Sequence, residues 1–359
     1  MELEIRYQDV IKNISKLNKN YLDLAKNYLD NLTKPIGSLG QLENIYMQLA
    51  GIFENLTFDI EKKNILIFCA DNGVVEEKVS CCPKEYTKIV AENFTKGITA
   101  INKFSEFAKN DITIIDIGID ADIINDDILN YKISYGTKNF TKEPAMSEDD
   151  CIKAIEIGIN LVYKLYQNGY SMLGTGEMGI GNTTTSAAIT SVLLNIEPEK
   201  VTGRGAGLDD EGYLNKINTI KKGITITQPD ANNPIDVLQK LGGLDIAGMV
   251  GAFLGAAYFR LPIVIDGVIS AAAALVSYKI NPLTKYYMIA SHLSAESAAK
   301  YILDYLELQP LLHLNLRLGE GSGCPLAFNV IDASVYTLRH MASMDEAKLN
   351  KQVYVDIRK

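Results

Sequence analysis

The chain has 359 residues, 47% of them hydrophobic and 22% charged, with a formal net charge of -9. Those values describe a globular protein with a large core, in one large domain or two unequal ones. They argue against an electrostatic grip on nucleic acid, and the lack of any low-complexity tract gives disorder no compositional support.

Residues 1–60 read as helical, with an amphipathic pattern in "NYLDLAKNYLDNL". The start, "MELEIRYQDV", has no basic n-region followed by an apolar stretch, so no signal peptide is expected and the protein is read as cytoplasmic. Short apolar runs follow, each ending in Gly, Asp or a small polar residue: "NILIFCADNG" (64–73), "DITIIDIGID" (111–120), "GYSMLGTGEMG" (169–179), "LPIVIDG" (261–267), "YYMIASH" (286–292) and "LLHLNLRLGEG" (311–321). Helical patterns such as "CIKAIEIGINLVYKLYQNG" (151–169) and "AESAAKYILDYL" (295–306) lie between them. Continuous apolar strands interleaved with helices predict a parallel β-sheet flanked by helices, an α/β fold of Rossmann-like type. Residues 61–323 are expected to form this large domain, and 1–60 plus 324–359 a small helical domain built from both chain termini. The most apolar region, Ile246–Tyr278, is interrupted by Arg260, Pro262 and Asp266 and reads as helix–strand–helix rather than a membrane span.

The five cysteines, Cys69, Cys81, Cys82, Cys151 and Cys324, are odd in number and lack zinc-type spacing, so reduced thiols are expected. Three histidines, His292, His313 and His340, have no acidic or Cys partner at metal-ligand spacing, and no metal site is read.

In open parallel sheets, ligands bind outside the carboxyl ends of the strands. "GTGEMGIGNTTTSAA" (174–188) would sit there. Gly174, Gly176, Gly179 and Gly181 clear side chains from the backbone; Asn182, Thr183 and Thr184 follow, and a helix begins. That pattern suits an anion cradled by N–H groups at a helix N-terminus, or simply a tight strand-to-helix turn. No Walker lysine follows, and "LLNIEPEK" makes a poor second strand for a dinucleotide fold. Glu177 fits a ribose hydroxyl or a loop-bracing bond. Gly203, Arg204 and Gly205 in "GRGAGLDDEG" repeat the glycine motif with a cation beside it, and Lys216, about one turn into the next helix, reads by itself as a solvated surface lysine. Glu320, between Gly319 and Gly321, is either an incidental acid in a turn or a carboxylate given open space.

Taken together, eight collinear segments resemble the nicotinate-nucleotide–dimethylbenzimidazole phosphoribosyltransferase family of cobalamin lower-ligand synthesis. They are "TKPIGSLGQLE" (33–43), "ADNGVVEEKVS" (70–80), "GTGEMGIGNTTTSAA", "GRGAGLDDEG" (203–212), "LGGLDIAGMVGAFLGAA" (241–257), "PIVIDGVISAAAAL" (262–275), "SHLSAE" (291–296) and "LRLGEGSG" (316–323). The resemblance implies conversion of nicotinate mononucleotide and 5,6-dimethylbenzimidazole to α-ribazole 5′-phosphate and nicotinate, with inversion at C1′. It implies Glu320 as general base, and Glu177 and Lys216 as further catalytic groups. The nucleotide would be held by Gly176, Gly179, Gly181, Asn182, Thr183, Thr184, Gly203, Arg204 and Gly205, with Ser291 also at the substrate site. Cys82, Val90 and Leu318 would line the base pocket. It also implies a homodimer, and no metal, organic cofactor, nucleic acid or membrane. Asn72, Cys82 and Val90 stand where the family often has His, Ser and Gln. They leave the acceptor open among benzimidazoles, adenine and phenols, and a non-catalytic nucleotide sensor is the alternative from another class.

Overall fold

A computed structural model describes residues 4–356. Six strands form one sheet: β1 (Lys63–Ala70), β2 (Asp111–Gly118), β3 (Ile128–Asn130), β4 (Met172–Met178), β5 (Ile263–Ile265) and β6 (Met288–Ala290). Every pairing is parallel, in the spatial order β3-β2-β1-β4-β5-β6. This is the doubly wound order in which successive connections change direction between β1 and β4.

Helices cover both faces, and this is why the strands carry unbroken apolar runs. All eight residues of β1 are buried. On one face, Leu66 and Phe68 join the core formed with helix Leu244–Tyr258. On the other, Ile65 and Ile67 share a core with Leu29 and Leu49 from the N-terminal helices and with Phe328 and Ile331 from helix Gly323–His340. Hydrogen bonds tie the two chain ends together: the Tyr28 hydroxyl donates to Leu338 O at 2.8 Å, and Ser334 Oγ donates to Leu42 O at 2.8 Å.

The apolar region 246–278 is a buried helix, the short strand β5 and a second buried helix, Val268–Ile280. Its glycines permit close contact between helices. A Cβ on Gly158 would overlap Gly248 O, and one on Gly251 would overlap Ile155 O. Helices Glu148–Gln167 and Leu244–Tyr258 therefore touch backbone to backbone. Among the described residues no helix is long and apolar enough to cross a membrane.

Two elements differ from the sequence reading. The edge strand β3 buries only Ile128 and exposes Leu129 and Asn130, so it carries no apolar run to be recognised. The strand expected at 311–321 does not form. Leu311 N and Leu312 N donate to Ala290 O and Ser291 O, continuing the line of β6, but Asn315 adopts φ +54° and breaks the extended backbone. Leu314 and Leu318, apolar in the pattern, are 49% and 54% exposed. The alternation reflects a segment lying over a cleft, not a strand pressed into a sheet.

Candidate active site

A cavity of about 670 Å³ opens at the carboxyl ends of the strands. Its walls come from the segment after β1 (Ser80, Cys82, Tyr86, Val90), the end of β4 (Glu177–Thr183), Gly205 and Ala206, the turn after β5 (Gly267–Ile269), the turn after β6 (His292, Ser294, Glu296) and the segment Asn315–Glu320. The position matches the rule for open parallel sheets, with β1 and β4 flanking the switch point. A neighbouring cavity of about 460 Å³, lined by Thr202–Gly207, Tyr213, Ala295–Ser297 and Arg317, shares Gly205, Ala206, Glu296 and Arg317 with it.

Glu320 faces the larger cavity from an unusual backbone. Gly319, Glu320 and Gly321 all have positive φ, at +85°, +63° and +81°. A non-glycine residue in this region is strained, and its glycine neighbours let the chain turn sharply on both sides of it. The turn is held from beneath by two buried carboxyls. Glu177 Oε1 accepts from Glu320 N at 3.3 Å; Asp266 accepts from Gly321 N at 3.0 Å and from Gly323 N at 2.6 Å. Gly176 makes the close approach possible, because a Cβ there would lie 2.8 Å from Gly321 N and 2.9 Å from Glu320 C. Burial pushes the Glu320 carboxyl up to about 7.

Behind Glu320 the acids form a network. Asn182 Nδ2 donates to Glu177 Oε2 and, at 3.0 Å, to Asp245 Oδ2. Burial, then the neighbouring Asp245 charge, holds Glu177 well above the usual carboxylate range; burial raises Asp245 to about 6 and Asp266 to about 7. Acids shifted by burial and by one another at the mouth of a cleft are the signature of a candidate functional site.

Glu320 thus has a pH-dependent cost. Its folded value of about 7 lies above the ordinary 4.5, so the folded protein holds this proton more tightly than the unfolded chain. The resulting stability is complete below the ordinary value and is lost as pH rises through about 7. Glu320→Gln, which cannot ionise, is expected to melt with the parent at pH 4.5 and several degrees above it at pH 8. A melting difference that stays constant with pH would remove the buried charge as its cause.

The phosphate-cradle motif occupies the turn into helix Asn182–Leu194, with Gly179, Gly181, Asn182 and Thr183 on the cavity wall. Thr184 is fully buried behind it, its Oγ1 without a hydrogen-bond partner. Lys216, which reads by itself as a surface lysine, is fully buried, and its Nζ donates to Thr183 Oγ1 at 2.7 Å. Burial lowers its value to about 8, and the Glu296 carboxylate opposes that shift. Gly203, Arg204 and Gly205 line the neighbouring cavity. The Arg204 guanidinium donates to Asp210 and Leu208 O and stacks on Tyr213, so it is already engaged.

Cys82, Val90 and Leu318 lie on the wall of the larger cavity. Thr87 Oγ1 accepts from Ile180 N at 3.1 Å and holds helix Tyr86–Thr95 against the end of β4. Cys81 and Cys82 are free thiols 3.9 Å apart. Ser291 does not reach the cavity: it is fully buried, with its Oγ on Asp266 O at 3.1 Å and 3.0 Å from His292 Nδ1. His292 lines the cavity in its place, and burial lowers it to about 4, which leaves it neutral.

Sequence reasoning missed Asp245, Asp266, Glu296 and Arg317 as site residues. Asp245 and Asp266 are lone acids in strongly apolar runs, a signal that was available. Glu296 gave none, since an acid beside a helix start is ordinary. Its carboxylate does not cap that helix. It accepts from Gly205 N at 3.1 Å and occupies the space a Cβ on Gly203 would need.

This geometry has close counterparts. Residues 14–349 match the phosphoribosyltransferase family. The chain is 48% identical to the nicotinate-nucleotide–dimethylbenzimidazole phosphoribosyltransferase of Clostridium tetani, covering 98% of this chain and 97% of the relative. It is 50% identical to the protein of that name from Ruminiclostridium cellulolyticum, over 96% and 98% of the two chains. The chain belongs to the nicotinate-nucleotide–dimethylbenzimidazole phosphoribosyltransferase family. A crystal structure of CobT from Thermus thermophilus superposes with a TM-score of 0.88 at 33% identity, over 92% of this chain and 99% of that one. The expected α/β fold and the family resemblance both hold, and the protein is an enzyme, a phosphoribosyltransferase of this type.

Proposed function

We propose that the enzyme transfers the phosphoribosyl group of nicotinate mononucleotide to 5,6-dimethylbenzimidazole, with inversion at C1′ and Glu320 as general base. One nitrogen of the benzimidazole attacks C1′ while the bond from C1′ to the nicotinate nitrogen breaks. The electron pair of that bond returns to the pyridinium ring, so nicotinate leaves without needing an acid. The proton on the other benzimidazole nitrogen passes to Glu320. The product is α-ribazole 5′-phosphate.

The observation that carries this reading is the placement of Glu320. It stands on a left-handed turn at the cavity, with burial holding its carboxyl at about 7. A base is most effective when its pKa lies near the working pH, because it is then both available and strong. The backbone N–H groups of Gly181 and Thr183 at the start of helix Asn182–Leu194 suit the 5′-phosphate, while that of Asn182 is already donated to Gly179 O. Lys216 supports Thr183 from behind rather than facing the cavity. Glu177 lies one hydrogen bond from the Glu320 backbone, which favours a place beside the ribose.

The acceptor follows from the wall formed by Cys82, Tyr86, Val90 and Leu318, an apolar surface with a thiol and a phenol. Such a surface suits a flat base and discriminates weakly between close analogues. Purified enzyme mixed with nicotinate mononucleotide and equal amounts of dimethylbenzimidazole, 5-methoxybenzimidazole, adenine and p-cresol is expected to release nicotinate and form mainly the dimethylbenzimidazole α-ribotide. Preferential consumption of another acceptor would reassign the base. Nucleotide binding without nicotinate release would favour the sensor reading. The homodimer, a cytoplasmic location and the split into 61–323 and a helical unit of 1–60 with 324–359 belong to the same proposal. The hydrogen bonds between the chain ends support the last of these.

A further inference from the structure

Three acids, Glu177, Glu296 and Glu320, line the larger cavity, while the proposed donor, a mononucleotide, is itself anionic. Positive charge is scarce there. Lys216 is buried behind Thr183, and Arg204 is engaged by Asp210 and Leu208 O. His292 is neutral. Among the described residues on the cavity wall, Arg317 is the one permanent cation. It is exposed, it borders both cavities, and no described residue forms a hydrogen bond or ion pair with it. It also precedes Glu320 by three residues, so one segment carries both groups to the cleft.

We propose that Arg317 is the oxyanion-binding side chain of the donor site, pairing with an anionic group of the nucleotide across the junction of the two cavities. This rests on the donor being nicotinate mononucleotide. A guanidinium presents a fork of N–H donors that matches a carboxylate or a phosphate through two parallel bonds. The nucleotide offers both: the nicotinate carboxylate and the 5′-phosphate. In either case the pair is made only once donor enters, which is consistent with a side chain that has no partner within the protein.

The test is steady-state kinetics of Arg317→Met and Arg317→Lys, with the donor and the acceptor varied in turn. Arg317→Met is expected to raise KM for nicotinate mononucleotide by about 10–100-fold, the scale of a lost charge-assisted hydrogen bond. KM for the acceptor should stay within about twofold of the parent, a change too small to represent a lost hydrogen bond. Arg317→Lys, which keeps the charge without the fork, should recover part of the loss. Nicotinamide mononucleotide, which lacks the carboxylate, identifies the group. If the carboxylate is the partner, the variant binds this amide as the parent does; if the phosphate is, both nucleotides weaken together. An unchanged donor KM, or donor and acceptor KM values rising together, would overturn the assignment. Calorimetric titration of nicotinate mononucleotide into parent and Arg317→Met is the second readout. It decides the role of Arg317 even if the parent shows no turnover, an outcome that would refute the transferase reading instead.

Discussion

Glu320→Gln is expected to cut turnover at least a hundredfold while leaving nucleotide binding within a few-fold of the parent. General base catalysis is typically worth about 10²–10⁴-fold, equivalent to roughly 3–5.5 kcal/mol of barrier. The amide keeps the size and the backbone turn but cannot take a proton. The pH profile provides a second signature. Because burial holds the Glu320 carboxyl at about 7, parent activity should rise as pH increases through about 7, as the base form appears. That limb should vanish in the residual activity of the variant. Near-normal turnover in Glu320→Gln, or an unchanged acid limb, would remove Glu320 from the base role. The same substitution is expected to stabilise the fold at pH 8, so lost activity and gained stability should appear together. That combination separates a functional carboxylate from a structural one.

Gly176→Ala should cost about a hundredfold in turnover through geometry alone. Gly176 lies in β4, where alanine is tolerable as a strand residue. The added Cβ, however, meets Gly321 N at 2.8 Å and Glu320 C and O at 2.9 Å. Those are backbone atoms, which cannot swing aside as a flexible side chain would. The loop must lift from the strand, loosening the bond between Glu320 N and Glu177. A displacement near 1 Å at a catalytic group is enough for a loss of about 10²-fold. Overpacking should also destabilise the fold by about 1–3 kcal/mol. The measurement is kcat beside KM for both substrates. Loss confined to kcat supports displacement of the base. Parent-like kcat would mean that the loop accommodates the methyl group and that the tight contact is not required.

The parts of the fold that were legible in the sequence share one cause. Strands buried on both faces must be apolar throughout, and helices between them must carry one apolar stripe, so β1, β2 and β4 and helices such as Glu148–Gln167 could be placed from residue pattern. The segment 311–321 misled because alternation records which side chains can be apolar, not which backbone groups are paired. The segment pairs with the residues after β6, from Leu311 N on Ala290 O to Ala295 N on Leu316 O, but the left-handed Asn315 interrupts it before a regular ladder can form. β3, an edge strand with one buried residue of three, gave no apolar run, whereas the equally short β5 and β6 are buried throughout.

For the site, the chain by itself marked Glu320, Glu177 and the glycine-rich turn, because glycines around an acid or at a helix start are local features. Local pattern could not determine which side of a residue would face the cleft. Lys216 is buried and bonded to Thr183 although its helix has the composition of a surface helix. Ser291 turns inward while His292 faces the cavity, an outcome decided by one step of backbone direction after β6. Asp266 and Glu296 lie far in sequence from the loops they hold, and only the parallel sheet brings their carboxyls to the N–H groups of Gly321, Gly323 and Gly205. Residue type and spacing are properties of the chain. The shared orientation of side chains from six separate segments is a property of packing, and it turns a set of glycine-rich turns into one acid-lined cavity.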